Sequence, residues 1–134
     1  YGAVEGWEED GERGHPITVF AGLYDRATGE DPYEIPKSWV EKKDALDLRT
    51  PYNFVTTNDI IGGNSGSPVI DRHARVVGLI FDGNLPSLGG EYGFDPRNNR
   101  AVAVHAAGMI EALEKVYGAD ALLREIRGAS AERR

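Results

Sequence analysis

A glycine-rich turn between two apolar runs is the feature that most restricts how this chain can fold. Gly63 and Gly66 lie between residues 53–57 and 68–71, two runs rich in β-branched and apolar side chains. Such runs favour strands, and glycine adopts backbone angles that other residues avoid. We therefore expect the chain to turn sharply between two strands and to leave the hydroxyl of the intervening Ser65 uncovered.

The remaining pattern predicts more strands and several short helices. Further strands are expected at residues 75–82 and 100–104, and a short polar turn would join the first of these to residues 68–71 in a hairpin. The spacing of apolar residues predicts helices at residues 18–27, 36–46, 106–117 and 119–126, with Gly118 as a C-terminal cap. The terminal helical region is expected to pack on the strands through Ile110, Leu113, Val116 and Leu122.

Composition excludes several classes of function. The chain carries 15 Lys and Arg against 22 Asp and Glu, and this net charge of −7 argues against a nucleic-acid partner. It has no cysteine, which removes disulfides, thiol nucleophiles and thiolate metal sites, and its three histidines lack metal-ligand spacing. We expect no cofactor, no membrane span and no signal peptide. Because the first residue is not Met, we also expect a processed product or a piece of a longer chain.

The serine turn has a chemical interpretation and a structural alternative. If Gly63 and Ser65 direct their backbone N–H groups to one point, they form an oxyanion hole beside the Ser65 hydroxyl. The alternative is a tight glycine turn with a solvated serine. A lipase-type elbow is excluded because residue 67 is Ser rather than Gly, and a P-loop is excluded because no Lys follows the glycines.

The turn also resembles a known sequence pattern. The run Gly63-Asn64-Ser65-Gly66-Ser67-Pro68 is similar to the G-D-S-G-G-P nucleophile loop of chymotrypsin-fold serine peptidases. The wider sequence resembles the C-terminal part of bacterial dipeptidyl-peptidases of the peptidase S46 family. This resemblance is carried by residues 1–2, 22–24, 46–48, 54–68, 78–84, 87–90, 99–104 and 111–113.

For the fold, the resemblance implies a mainly β structure that is part of a chymotrypsin-like double β-barrel. This chain would supply the C-terminal barrel, with short N-terminal helices and a C-terminal helix. Residues 1–50 are expected to be a linking segment with short helices, residues 51–128 the barrel strands with the nucleophile loop and terminal helix, and residues 129–134 a polar tail. Because neighbouring strands would come from sequence outside this chain, we expect exposed apolar surface or self-association.

For function, the resemblance implies a serine exopeptidase that removes dipeptides from the free N-terminus of peptides. Ser65 would be the acyl-forming nucleophile, and the amides of Gly63 and Ser65 would form the oxyanion hole. Asp82 would help to hold the α-ammonium of the substrate, although an Asp that caps a turn is the alternative. Gly83 stands where acid-preferring members carry Arg. Glycine leaves no cation and more room there, so we expect an apolar or broad preference at the penultimate residue.

The sequence lacks an evident general base for this serine. The family supplies the catalytic His and its orienting acid from the N-terminal barrel, ahead of the residues present here. We expect His15 in a surface loop, His73 in an exposed turn and His105 in a capping or packing role, with none of them as the base. Asn64 cannot form the salt bridge that an Asp makes with a freed N-terminal ammonium, so activation by N-terminal insertion is not expected.

The same resemblance implies partners and a location for the protein. The expected partners are peptides with a free N-terminus, the missing N-terminal barrel and helical domain of the same polypeptide, and a second copy in a homodimer. The family suggests the bacterial periplasm or cell envelope. Two alternatives stay open: a catalytically silent isolated β domain that acts as an interaction module, and a non-peptidase domain with a chance glycine turn.

Overall fold

Five antiparallel strands form the sheet that carries the serine turn. The structure, a computed structural model, describes residues 1–9, 11–90 and 92–129. The strands are β1 Glu8–Glu9, β2 Glu12–Arg13, β3 Ile17–Val19, β4 Pro51–Thr56, β5 Pro68–Ile70, β6 Val76–Gly83 and β7 Ala101–His105. The sheet has the order β3-β4-β7-β6-β5, and β1 and β2 form a separate small hairpin.

The helices are short and lie outside this sheet. They are α1 Phe20–Asp25, α2 Lys37–Glu41, α3 Ala106–Glu111 and α4 Asp120–Ala129. Two 3-10 turns occur at Lys43–Ala45 and Leu85–Gly89, and α3 continues as a π-helical turn over Ala112–Val116. A mainly β fold with short helices is confirmed. No helix within the described part of the chain is long and apolar enough to cross a membrane.

The strand β3 was expected to be the start of a helix. Its residues Ile17, Thr18 and Val19 are all β-branched, which favours the strand, and Ile17 pairs with Phe54 of β4. The segment before Pro51 thus supplies one edge of the sheet. It also supplies Phe20, the largest fully buried side chain, whose ring contacts Trp39 and Tyr52 with centroids 5.4 and 5.5 Å away.

Small residues allow a large ring to enter the sheet core. Phe54, Ile80, Ala101 and Ala103 form the buried cluster of the sheet. A Cβ on Gly78 would meet the ring of Phe54 at 2.8 Å or closer, so the glycine makes room for this ring. The alternation of buried and half-buried residues along β7 shows that one face of the strand turns to this core.

One leucine of the terminal helices does not pack as expected. Gly118 has a φ of +59° and ends the π-helical turn, as predicted for a C-terminal cap. Leu122 was expected to pack on the strands, but it is 45% exposed, whereas Leu123 is 3% exposed. Adjacent residues on a helix point about 100° apart, so the actual register of α4 buries the second leucine rather than the first.

Candidate functional site

The loop between β4 and β5 is held by its own short hydrogen bonds. Asn64 donates its N–H to the carbonyl of Ile61 at 3.2 Å, and its Oδ1 accepts the Ile61 N–H at 2.8 Å. Ser67 donates to the Asn64 carbonyl at 2.9 Å. Gly63 and Gly66 have φ angles of +98° and +86°, which L-residues with a side chain adopt only with strain. Two glycines therefore set the shape of this loop.

Strand β6 fixes the position of Ser65. The N–H of Gly66 donates to the carbonyl of Ile80 at 2.7 Å, and the N–H of Ile80 donates to the carbonyl of Ser67 at 2.9 Å. Ser65, between these two anchors, is exposed, and its Oγ donates to the carbonyl of Phe81 at 3.4 Å. The serine is thus presented to solvent from a loop bonded on both sides to a strand.

The amides of Gly63 and Ser65 are among those of the loop that remain available as donors. The N–H groups of Asn64, Gly66 and Ser67 are used within the fold, whereas those of Gly63 and Ser65 donate to no other residue that the structure describes. This is the pair that the sequence predicts for the oxyanion hole. The role itself stays a prediction, because it requires a substrate oxygen at the point where the two N–H groups would meet.

One cleft brings together three of the four predicted site residues. A surface cleft of about 490 Å³ is lined by Ser65, Asp82 and Gly83, while Gly63 is absent from its lining. The lining has both apolar and polar side chains: Asp59, Ile60, Ile61, Asn64, Ile80, Phe81, Ser87 and Leu88. The lining residues come from positions 59 to 90 of the chain, and the pairing of the loop with β6 assembles them.

A bulge in β6 precedes Asp82 at the cleft. Ile80 pairs with Ala103 and Asp82 with Val102, so Phe81 is an extra residue in the ladder. Phe81 and Asp82 are both exposed, whereas Ile80 is buried. The Oδ1 of Asp82 accepts the N–H of Gly83 at 2.8 Å, and its Oδ2 accepts no hydrogen bond from a described residue. One carboxylate oxygen is therefore available to a ligand.

Gly83 leaves less space in the cleft than a glycine at this position suggests. The absence of a side chain was expected to enlarge this part of the cleft. A Cβ built on Gly83 would come well inside contact distance of the Ser87 Oγ, which donates to the carbonyl of Asn84 at 2.6 Å. The volume that a side chain at residue 83 would need is thus already occupied by the hydroxyl of Ser87.

None of the three histidines bonds to Ser65. His73 lies exposed in the hairpin turn, and His15, also exposed, lines a different cleft of about 390 Å³ that does not include the serine. The Nδ1 of His105 accepts the N–H of Ala107 at 3.0 Å and so caps α3, and its ring contacts Phe54 edge-on with centroids 5.6 Å apart. The expected capping and packing role of His105 is what the structure shows.

The acidic and imidazole side chains of the described residues do not form a metal centre. Among the described residues, no group of three or more His, Cys, Asp and Glu side chains is placed to hold a metal ion.

Three residues near the end of β6 were given no role from the sequence: Asn84, Ser87 and Arg100. The available signal was an arginine directly before the small apolar residues of β7, where a buried position is expected.

The sequence matches one family along almost its whole length. A sequence model of peptidase S46 matches residues 1–128. Dipeptidyl-peptidase 7 of Phocaeicola vulgatus is 33% identical over 94% of this chain and 19% of the relative's length. The Asp/Glu-specific dipeptidyl-peptidase of Shewanella putrefaciens is 28% identical over 94% of this chain and 21% of its own length. The chain therefore spans about a fifth of the curated relatives it matches.

Solved structures show the same fold. DPP11 of Porphyromonas endodontalis in complex with the dipeptide Arg-Asp superposes with a TM-score of 0.86, at 24% identity, over 93% of this chain and 19% of that chain. The same protein in an alternate conformation gives a TM-score of 0.82, at 23% identity, over 92% of this chain and 20% of that chain. At this identity the likeness establishes the fold alone.

Proposed function

This chain belongs to the peptidase S46 family, and we propose that it is the nucleophile-bearing segment of a serine exopeptidase that releases dipeptides from the free N-terminus of peptides. The observation that carries the proposal is the shared cleft, which is lined by Ser65, Asp82 and Gly83. The chain supplies a nucleophile, a candidate anion for the substrate ammonium and part of a side-chain pocket in one place.

In the proposed reaction, the Oγ of Ser65 attacks the carbonyl carbon of the second peptide bond. Its proton passes to a base, the carbonyl oxygen becomes an oxyanion that the amides of Gly63 and Ser65 stabilise, and the amine leaves with a proton. Water then hydrolyses the acyl-enzyme and releases the dipeptide. Each oxyanion donor in comparable sites contributes roughly 3 to 4 kcal/mol to the stability of the transition state.

The base lies outside these residues in this proposal. Ser65 Oγ donates to a backbone carbonyl and to no histidine among the described residues. A serine without a neighbouring base is a poor nucleophile at neutral pH. The same observation favours the second candidate, in which the isolated chain is a catalytically silent β domain and interaction module. A location in the bacterial periplasm or cell envelope is part of the first proposal.

Asp82 and Gly83 would select the substrate. The Oδ2 of Asp82 is available to a positively charged α-ammonium, which favours free over blocked N-termini. Gly83 places no cation in the cleft, and Ile60, Ile61 and Leu88 line it with apolar surface. These features support an apolar or broad preference at the penultimate residue. Relatives of the chain include both dipeptidyl-peptidase 7 and Asp/Glu-specific enzymes, so the preference needs a direct test.

The test is hydrolysis of a fluorogenic dipeptide with Leu at its second position by the full-length polypeptide. We expect cleavage of the substrate with a free N-terminus, no cleavage of the acetylated one, and loss of activity in Ser65→Ala. Asp82→Asn should reduce the difference in cleavage rate between the free and the acetylated substrate. Equal cleavage of both substrates by the unsubstituted enzyme would contradict the role of Asp82, and cleavage of neither would favour the silent domain.

A further inference from the structure

A buried arginine lies behind the cleft, and within the described residues its guanidinium bonds only to main-chain oxygens. Arg100 is 3% exposed, and this guanidinium donates six hydrogen bonds of 2.8 to 3.1 Å to described residues, two of which share the single Nε–H. The acceptors are the carbonyl oxygens of Glu5, Gly6, Pro96, Arg97 and Asn99. It makes no ion pair with a carboxylate of the described residues.

A buried guanidinium with this many hydrogen bonds restricts the movement of the segments that accept them. A buried charge is costly unless hydrogen bonds satisfy it, and a planar guanidinium does so only when its acceptors keep their positions. Arg100 therefore joins the N-terminal segment at Glu5 and Gly6 to the loop at residues 96–99. These two segments are separated from each other by about ninety residues of sequence.

Asn84 connects this rigid group to the cleft. It is 6% exposed and directly follows Gly83. Its N–H donates to the carbonyl of Arg100 at 3.0 Å, and its Oδ1 accepts the Arg100 N–H at 2.9 Å. Its Nδ2 donates to the carbonyl of Asn98 at 2.7 Å. The side chain thus uses both ends of its amide, and the order of donor and acceptor matters at each.

The carbonyl of Asn84 also holds Ser87, a further residue of the cleft lining. It accepts the Ser87 Oγ–H at 2.6 Å and the Ser87 N–H at 2.9 Å. Gly83 and Ser87 both line the cleft, and Asn84 lies between them in the chain. Any movement of Asn84 would therefore displace Gly83 on one side and Ser87 on the other.

We propose that Asn84, backed by Arg100, is a positioning residue for substrate binding that fixes Asp82, Gly83 and Ser87 relative to one another. This inference rests on the proposed dipeptidyl-peptidase function of the cleft. Asn84 does not itself line the cleft around Ser65. Its effect would be on binding of the substrate's ammonium and penultimate side chain, and the nucleophile loop would keep its own bonds to β6.

The test uses the full-length enzyme, with active sites counted by a serine-directed phosphonate label. For Asn84→Ala, we expect KM for the free Leu dipeptide to rise about tenfold while kcat per labelled site stays within about twofold, since uniform binding is lost and the chemical step is kept. Asn84→Asp keeps an acceptor for the Arg100 N–H but cannot donate to Asn98. It should show a smaller rise of about threefold, and it decides the question if Asn84→Ala does not fold.

Two substitutions serve as matched controls. Asn98→Ala removes an amide side chain but keeps the main-chain carbonyl that Asn84 uses, and Arg97→Lys changes an exposed arginine of the same loop. Both should leave KM unchanged. For a merely structural Asn84, the number of labelled sites would fall and KM would not change, which would overturn the inference. An inactive unsubstituted enzyme, or activity that survives Ser65→Ala, would overturn the proposed function and this inference with it.

Discussion

At the scale of single residues, the contacts of Asn64 and Gly83 in the folded chain show what each contributes to the site. Asn64 was considered in the sequence only for the salt bridge that it cannot make. In the structure its Oδ1 accepts the Ile61 N–H and closes the turn that presents Ser65. Gly83 was considered for the room that it leaves, yet the Ser87 hydroxyl uses that room. A residue's neighbours in space therefore decide what a small or neutral side chain contributes.

The position of the Ser87 hydroxyl affects how the proposed role of residue 83 in substrate preference is tested. Gly83→Arg should move the preference of the full-length enzyme toward Glu at the penultimate residue, because an Arg–carboxylate pair replaces an apolar contact. We expect the pair Gly83→Arg with Ser87→Ala to shift the Glu-to-Leu ratio of kcat/KM by about tenfold or more. The single substitution should shift it less, because the new Cβ meets the Ser87 Oγ.

The matched control for this change is Gly83→Gln with Ser87→Ala. Glutamine has a long polar side chain but no charge, so it adds bulk to the cleft without a cation. The ratio of kcat/KM for Glu and Leu substrates compares the two pairs directly. If the Arg and Gln pairs show the same preference, residue 83 does not face the penultimate side chain and the pocket assignment is wrong.

At the scale of elements, strand β6 organises the site. One part of it bonds to the loop of Ser65, its bulge at Phe81 precedes Asp82, and its end passes into the turn of Ser87. Strand β7 pairs with residues 78–83 of β6 and begins directly after Arg100. Strand β6 thus bonds to the loop of the catalytic candidate and carries the binding candidates Asp82 and Gly83.

Helix α3 begins at a histidine whose protonation should weaken the fold. Burial lowers the pKa of the His105 imidazole below its usual value of 6.5. The neutral ring accepts the Ala107 N–H, and a proton on Nδ1 would remove this acceptor. The unfolded chain therefore binds the proton more readily, and the stabilisation is fully present above pH 6.5 and is lost as pH falls through the lower pKa of the folded state.

Urea denaturation between about pH 8 and pH 5 measures this effect as the free energy of unfolding. His105→Asn is the comparison, because asparagine also caps a helix but does not titrate, and its pH dependence in this range should be flatter. Hydrogen bonds from Arg75 hold the pKa of Asp71 at about 2, so that carboxylate titrates outside the range. Equal slopes for both proteins would show that the cap does not depend on a neutral His105.

At the scale of the whole molecule, no histidine of the described residues bonds to the candidate nucleophile Ser65. The sheet ends in β3 and β5, and Ile70 and Val76 of the β5–β6 hairpin are 59% and 55% exposed. Exposed apolar side chains beside an edge strand are suited to further packing. This arrangement agrees with a chain that spans about a fifth of its relatives' length.

The isolated 134-residue chain is expected to be inactive. Its turnover of the free Leu dipeptide should equal that of its own Ser65→Ala variant, because no histidine bonds to the Ser65 hydroxyl in the part of the chain that the structure describes. The full-length polypeptide, measured in parallel, should be active. Turnover by the isolated chain that disappears in Ser65→Ala would show that these residues contain a base.

The glycine turn around Ser65, the main strands and the family could all be predicted before the structure was known. Gly63 and Gly66 tolerate positive φ angles because they lack a side chain, and strands β4 to β7 lie in runs rich in β-branched and apolar residues, so each could be predicted locally. The strands β4 to β7 accordingly begin and end within two residues of the expected bounds. The short strand β3 was missed because pairing with β4 completes it.

The residues that support the cleft are set by contacts between segments that are distant in the sequence. Arg100 bonds to Glu5 and Gly6, and Asn84 bonds to Asn98 and Arg100, across 14 to 95 positions of sequence. Neither contact has a periodic pattern or a motif, because buried polar groups take whichever carbonyl or amide the folded chain brings within reach. The same reason explains why Leu123 rather than Leu122 is buried: its partners belong to other elements. Local backbone demands can be derived from a sequence, whereas hydrogen bonds between distant segments exist only once the chain has folded.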